Sequence, residues 1–137
     1  MTNEAVITTL LGNQGDPIEV TVATGNAIPK GTIMKISSSP QTAAAATAAG
    51  DYVLGICNTE KTTTDGVTKV MVITHCVAEI YATAATGSMT LGKPVRITGA
   101  NTVDEATLDT LDKSMEAFGI ALETVAAGAS GEVLINI

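Results

Sequence analysis

The sequence predicts an all-β protein, a small pseudo-twofold barrel or sandwich with short loops and at most one short helix near 103–115. Three observations predict it. First, the segments Ile28–Ile36, Tyr52–Ile56 and Val70–Val72 return as Met89–Ile97, Glu116–Ile120 and Val133–Ile135, at offsets of 61, 64 and 63 residues. Two copies this long do not suit a solenoid, whose units of roughly 20–50 residues come in threes or more. Second, the only aromatics are Tyr52, Tyr81 and Phe118, so Val, Ile, Leu and Met must fill the interior. Branched side chains of that size suit thin β layers. Third, short apolar–polar alternations are punctuated by Gly, Pro, Asn and Asp.

The elements follow in order. Residues 1–16 read as an N-terminal arm, with Val6-Ile7 and Leu10-Leu11 set between polar residues ahead of Gly12–Pro17. Such a terminus is ordered only where something ties it down. The remaining residues, 17–137, read as one β domain, with repeat copies at about 18–80 and 81–137. Ile18–Val22 alternates with the period of a half-buried strand. Thr32–Ser37 is the next strand, ended by Ser38-Ser39-Pro40, and the alanine-rich stretch 41–50 reads as a compact loop with a short strand. Tyr52–Asn58 and Val67–Cys76 predict a hairpin turning at Asp65-Gly66, whose second arm runs on to Tyr81. That register sets Cys57 opposite roughly Thr68. Pro94–Thr98 matches the strand at 32–36. Over 102–117, Thr102 with Glu105 fits a capping box and Leu108, Leu111 and Met115 share a helical face, so a short acidic helix or turn is expected. Phe118–Thr124 and Gly131–Ile137 predict a closing hairpin.

Composition narrows the function classes. A net charge of −7, with six lysines and one arginine that form no run, leaves no basic face for nucleic acid. The scarcity of aromatics also removes base-stacking platforms. No apolar run approaches the roughly 20 residues of a membrane span, and Met1–Ala5 has no basic n-region of a secretory signal. The expectation is synthesis in a cytoplasm. Two cysteines, Cys57 and Cys76, are too few for a disulfide framework and read as reduced, small hydrophobes.

Catalytic chemistry has little to work with. His75 is the only histidine, and its neighbour Cys76 falls on the opposite face of any strand, which separates a Cys–His dyad. One histidine and two distant cysteines do not make a zinc site. The acids at 104–116 lack the ligand spacing of a calcium loop. No catalytic residue, metal or cofactor is therefore expected, nor a small-molecule substrate. Met34-Lys35 resembles the modified turn of biotinyl and lipoyl carrier domains, but Lys35 lies within an alternating strand and has Arg96 as its counterpart.

The repeated Ile28–Ile36, Tyr52–Ile56, Met89–Val95, Phe118–Glu123 and Ser130–Ile135 motifs resemble those of tailed-phage head decoration, or capsid cement, proteins. The resemblance covers roughly 18–137; the acidic insert at 102–117 departs from the family. It implies a structural virion protein on the outside of an icosahedral capsid, bound to the major capsid protein at capsomer junctions, usually as a homotrimer. Candidate capsid contacts are Val6, Ile7, Leu10 and Leu11, as an arm able to add a strand to a capsid sheet, and Lys30, Lys35, Lys93 and Arg96, as a basic patch at corresponding places in the two copies. The arm has a second reading, as the ordinary first strand of the barrel. Another virion or surface module, such as a fibre base or adhesin, is the alternative function.

Overall fold

The computed structural model describes residues 2–10, 17–85, 87–107, 109 and 115–137. Among the described residues run eleven strands: β1 (Val6–Leu10), β2 (Ile18–Thr21), β3 (Ile33–Ile36), β4 (Ala43–Ala45), β5 (Val53–Cys57), β6 (Lys69–Ile73), β7 (His75–Ala82), β8 (Pro94–Gly99), β9 (Thr102–Glu105), β10 (Ala117–Ala121) and β11 (Ser130–Asn136). One sheet has the order β2-β6-β5-β3-β4 and the other β1-β7-β11-β10-β8-β9. Setting β1 aside, the two orders superimpose strand for strand, and the duplication read in the sequence becomes two lobes. In the C-terminal lobe, parallel pairing of Tyr81 with Thr102 and Ala82 with Val103 closes a five-stranded barrel. In the N-terminal lobe, the equivalent closure is a single parallel bridge, Thr21 to Thr42.

The register shows how closely the copies match. Met34 opposes Gly55, and Lys35 opposes Val53 across a bulge at Leu54. Val95 opposes Gly119, and Arg96 opposes Ala117 across a bulge at Phe118. A methyl group on Gly55 would lie 2.2 Å from the Ile73 carbonyl oxygen, and one on Gly119 2.5 Å from that of Leu134. Both glycines thus stand where a neighbouring backbone comes too close for any side chain. The turns before β3 and β8 repeat as well: Gly31 and Gly92 have φ of 91° and 80°. Their N–H groups donate to the carbonyls of Cys57 and Ala121, each at 2.8 Å.

Several expectations are corrected. Cys57 opposes Val72, not Thr68, so the 58–68 connection is longer than a tight hairpin. The run from Val67 to Tyr81 is not one strand: it breaks at Thr74, leaving β6 in the first sheet and β7 in the second. By strand order β7 takes the place of β2, so the second copy starts near 75 rather than at 81. Val72 and Val133 occupy equivalent pairings, opposite Cys57 and Ala121, which makes the offset of the last strand 61 rather than 63. Thr102 and Glu105 lie in β9, so they do not cap a helix; β9 takes the place of β4 in the alanine-rich stretch. Residues 108 and 110–114 of the expected acidic helix lie outside the described residues.

Alternation divides the side chains between two cores. Val20, Ile28, Met34, Ala43, Cys57 and Val72 fill the inside of the N-terminal lobe. Ile80, Met89, Val95, Val103, Ala121 and Val133, their counterparts, belong to the larger core of the C-terminal lobe. That larger core also takes in Ile33, Val53, Ile56 and Ile73. These residues alternate with the N-terminal lobe's inward set, so they face out of that lobe and into its neighbour. Ile33 and Met34, consecutive in sequence, are both fully buried for this reason. The interlobe contact carries a buried hydrogen bond, from Ile33 N to Asn101 Oδ1 at 2.9 Å.

Candidate interaction surface

Val6 to Leu10 of the expected arm form β1, the edge strand hydrogen-bonded to β7. They are therefore a strand laid against β7, outside the five strands that close the barrel. Val6 is exposed, whereas Ile7 is partly buried against the large core. Leu10 pairs with Cys76 through the backbone, and Leu11 lies outside the described residues. Among the described residues no strand lies beside the far edge of β1, which borders a concavity of about 510 Å³ shared with the Lys30–Gly31 turn. An edge of this kind presents backbone donors and acceptors to a further strand.

The four cations divide into two pairs. Lys35 Nζ lies 2.9 Å from Asp51 Oδ1, and Arg96 Nη1 lies 3.2 Å from Glu116 Oε2. Lys35 and Arg96 are repeat equivalents, and each is compensated by an acid just ahead of the adjoining strand. Burial alone would raise the Asp51 pKa, but the Lys35 ammonium and the Thr47 and Ala48 amides hold it below the ordinary value. Lys30 and Lys93 are exposed, but they are not equivalents: the turns align Lys30 with Leu91 and Thr32 with Lys93. Lys35 sits in mid-strand in an ion pair, unlike the lysine at a carrier domain's hairpin tip.

His75 is exposed, while Cys76 is buried in the large core, so their side chains do not form a dyad. Burial pushes the Cys76 thiol up to about 11 and raises that of Cys57 too. The two free thiols lie in different cores. Among the described residues no group of His, Cys, Asp and Glu gathers as a metal site.

A buried cation is absent from the sequence reading. Lys61 is fully buried, and its Nζ donates to the carbonyls of Thr24 and Asn26, both at 2.7 Å, and of Thr62 at 3.2 Å. Its repeat equivalent is Val125, since Ile28–Lys61 and Met89–Val125 are matching bridges. Nothing in a threonine-rich connection marks one lysine as an internal fastener.

The remaining distinctive surface is apolar. Pro94, Ile120, Leu134 and Val77 oppose one another in a row across β8, β10, β11 and β7. They face away from the barrel interior, and Leu122, just past β10, and Leu91, in the turn before β8, are also exposed. At the end of the N-terminal lobe, Ile18, Ile36 and Leu54 line a second concavity of about 510 Å³.

Together these features define a duplicated all-β module whose distinctive chemistry lies on outward faces and one strand edge. No protein-family model matches the sequence, and no curated protein matches it. Among solved structures the chain is similar in fold to the N base of the head fibre protein gp8.5 of bacteriophage phi29. The TM-score is 0.55 at 13% identity, over 87% of this chain and 92% of that one. Coverage of that extent spans both lobes.

Proposed function

We propose that the chain is a structural protein of a tailed-phage virion, held on the outside of the icosahedral head, and that it is not an enzyme. The observation that carries this reading is the likeness, across both lobes, to a phage head fibre base. In its finer form, the protein decorates and cements the shell. It binds the major capsid protein at capsomer junctions as a homotrimer, after synthesis in the host cytoplasm, and needs no cofactor, nucleic acid or membrane. The β1 edge and the exposed Val6 and Lys30 beside it are the proposed capsid contacts, with Lys93 on the corresponding turn of the other lobe. Contacts repeated over a lattice bind by avidity, so each can be weak. Bridging neighbouring capsomers stabilises the assembled shell by mass action.

A second reading is favoured by the neighbour's own role: the module is the base of a fibre that projects from the head. Co-sedimentation with purified phage heads tests both. Both readings predict saturable binding; decoration also predicts that bound protein raises the temperature at which heads disrupt, and a fibre base leaves that temperature unchanged. Failure to co-sediment at any protein concentration would refute both.

A further inference from the structure

The two lobes touch through unlike faces. The N-terminal lobe contributes its outward row Ile33–Ile56–Ile73, paired across β3, β5 and β6. The C-terminal lobe contributes the end of its barrel, where Ala78, Ile97, Asn101 and Phe118 are all buried. Each of these two surfaces has a copy on the other lobe, and both copies stand partly open to solvent. Equivalent to the row Ile33–Ile56–Ile73 is Pro94–Ile120–Leu134, where Ile120 is 46% exposed against 0% for Ile56. Equivalent to the covered barrel end is the end lined by Ile18, Ile36, Gln41 and Leu54. There Ile36 is 61% exposed against 0% for Ile97. Gln41 and Asn101 even share the left-handed backbone, with φ of 53° and 55°.

We infer that a second copy of this chain docks its Pro94–Ile120–Leu134 row onto the open N-terminal barrel end of the first, repeating between chains the contact that joins the lobes within one. The internal interface supplies the template, since the same two kinds of surface already fit together once. The intermolecular contact is the weaker of the two. Pro94 stands where Ile33 does and has no N–H to offer Gln41, so the buried hydrogen bond at Asn101 has no counterpart. Such a contact is heterologous, so copies close into a ring or continue as a filament.

The test is sedimentation analysis of the full chain and two variants, Ile36→Asp and Ile120→Asp. Both side chains are exposed in the single chain, so neither variant loses a core contact, and circular dichroism checks that both stay folded. Wild type is expected to self-associate with rising concentration, and each variant to lose at least about tenfold in association constant. Each variant spoils one face and keeps the other. An equimolar mixture is therefore expected to recover association, and to stop at a heterodimer. A monomeric wild type, variants that associate like wild type, or a mixture that stays monomeric would each overturn the inference. Loss of head binding in Ile36→Asp, with wild type monomeric, would assign the barrel end to the capsid instead. Self-association is read without heads present, so its failure leaves the proposed place on the head standing.

Discussion

Replacing Gly119 by alanine places a methyl carbon 2.5 Å from the Leu134 carbonyl oxygen and 2.8 Å from Val133 Cγ1. Ordinary contact begins near 3.4 Å, so β11 must retreat by about 0.9 Å. A displacement of that size takes ladder bonds of about 2.9 Å beyond bonding distance. Losing two such bonds at about 1 kcal/mol each, or absorbing the strain as overpacking, costs about 2 kcal/mol. Gly55→Ala costs more, about 3 kcal/mol, because its contact with the Ile73 carbonyl oxygen is closer and its φ of 150° is hostile to a side chain. Gly66→Ala is the control. Its φ is 70° but its Cβ would meet nothing within 4 Å, so only a backbone cost of about 1 kcal/mol applies. Thermal unfolding followed by circular dichroism reads the series. For a chain of 137 residues, 3 kcal/mol lowers Tm by about 10 °C. If Gly119→Ala melts with wild type, the close approach of β10 and β11 is wrong, and so is the matched register on which the two-lobe account rests.

Further predictions concern the buried polar groups and the edge strand. Lys61→Met strips the Thr24 and Asn26 carbonyls of their shared donor and is expected to cost about 2 kcal/mol, with faster amide exchange in the 23–27 loop; denaturant titration and hydrogen exchange measure both. Asp51 has a folded pKa below its ordinary 3.8, so its contribution is complete above that value and fades as pH falls through the lower folded one. Asp51→Asn is thus expected to flatten the acid limb of the stability–pH curve, and an unchanged limb would contradict it. Neither Cys57 nor Cys76 is expected to react with a thiol reagent faster than the protein unfolds, since both thiols are buried with raised pKa. Deleting residues 1–10 removes Ala5 and Ile7 from the core, so it is expected to lower Tm as well as weaken head binding, which separates β1 from a free arm.

The duplication was legible because its marks are local. A glycine in the Lys30–Gly31 and Gly92–Lys93 turns and a Gly-Ile pair in β5 and β10 survive in both copies. Register was less legible, because bulges at Leu54 and Phe118 insert a residue that alternation alone does not reveal. The change of sheet at Thr74 was hidden by an unbroken run of strand-forming residues on either side of it. Thr102 and Glu105 imitate a helix cap, but strand pairing with β8 overrides that local pattern. The lobe interface was illegible for a different reason. A strand buried on both faces, as β3 and β5 are, looks like any apolar run, and nothing in it says which face meets which lobe. The ion pairs of Lys35 and Arg96 were illegible because their acids lie far off in sequence, at 51 and 116.

The most direct test of a head-exterior role is cryo-electron microscopy of phage heads incubated with the purified protein. The account predicts twin-lobed density on the outer surface, one lobe edge resting against a capsid strand. Heads whose surface is indistinguishable from untreated ones at saturating protein would contradict it.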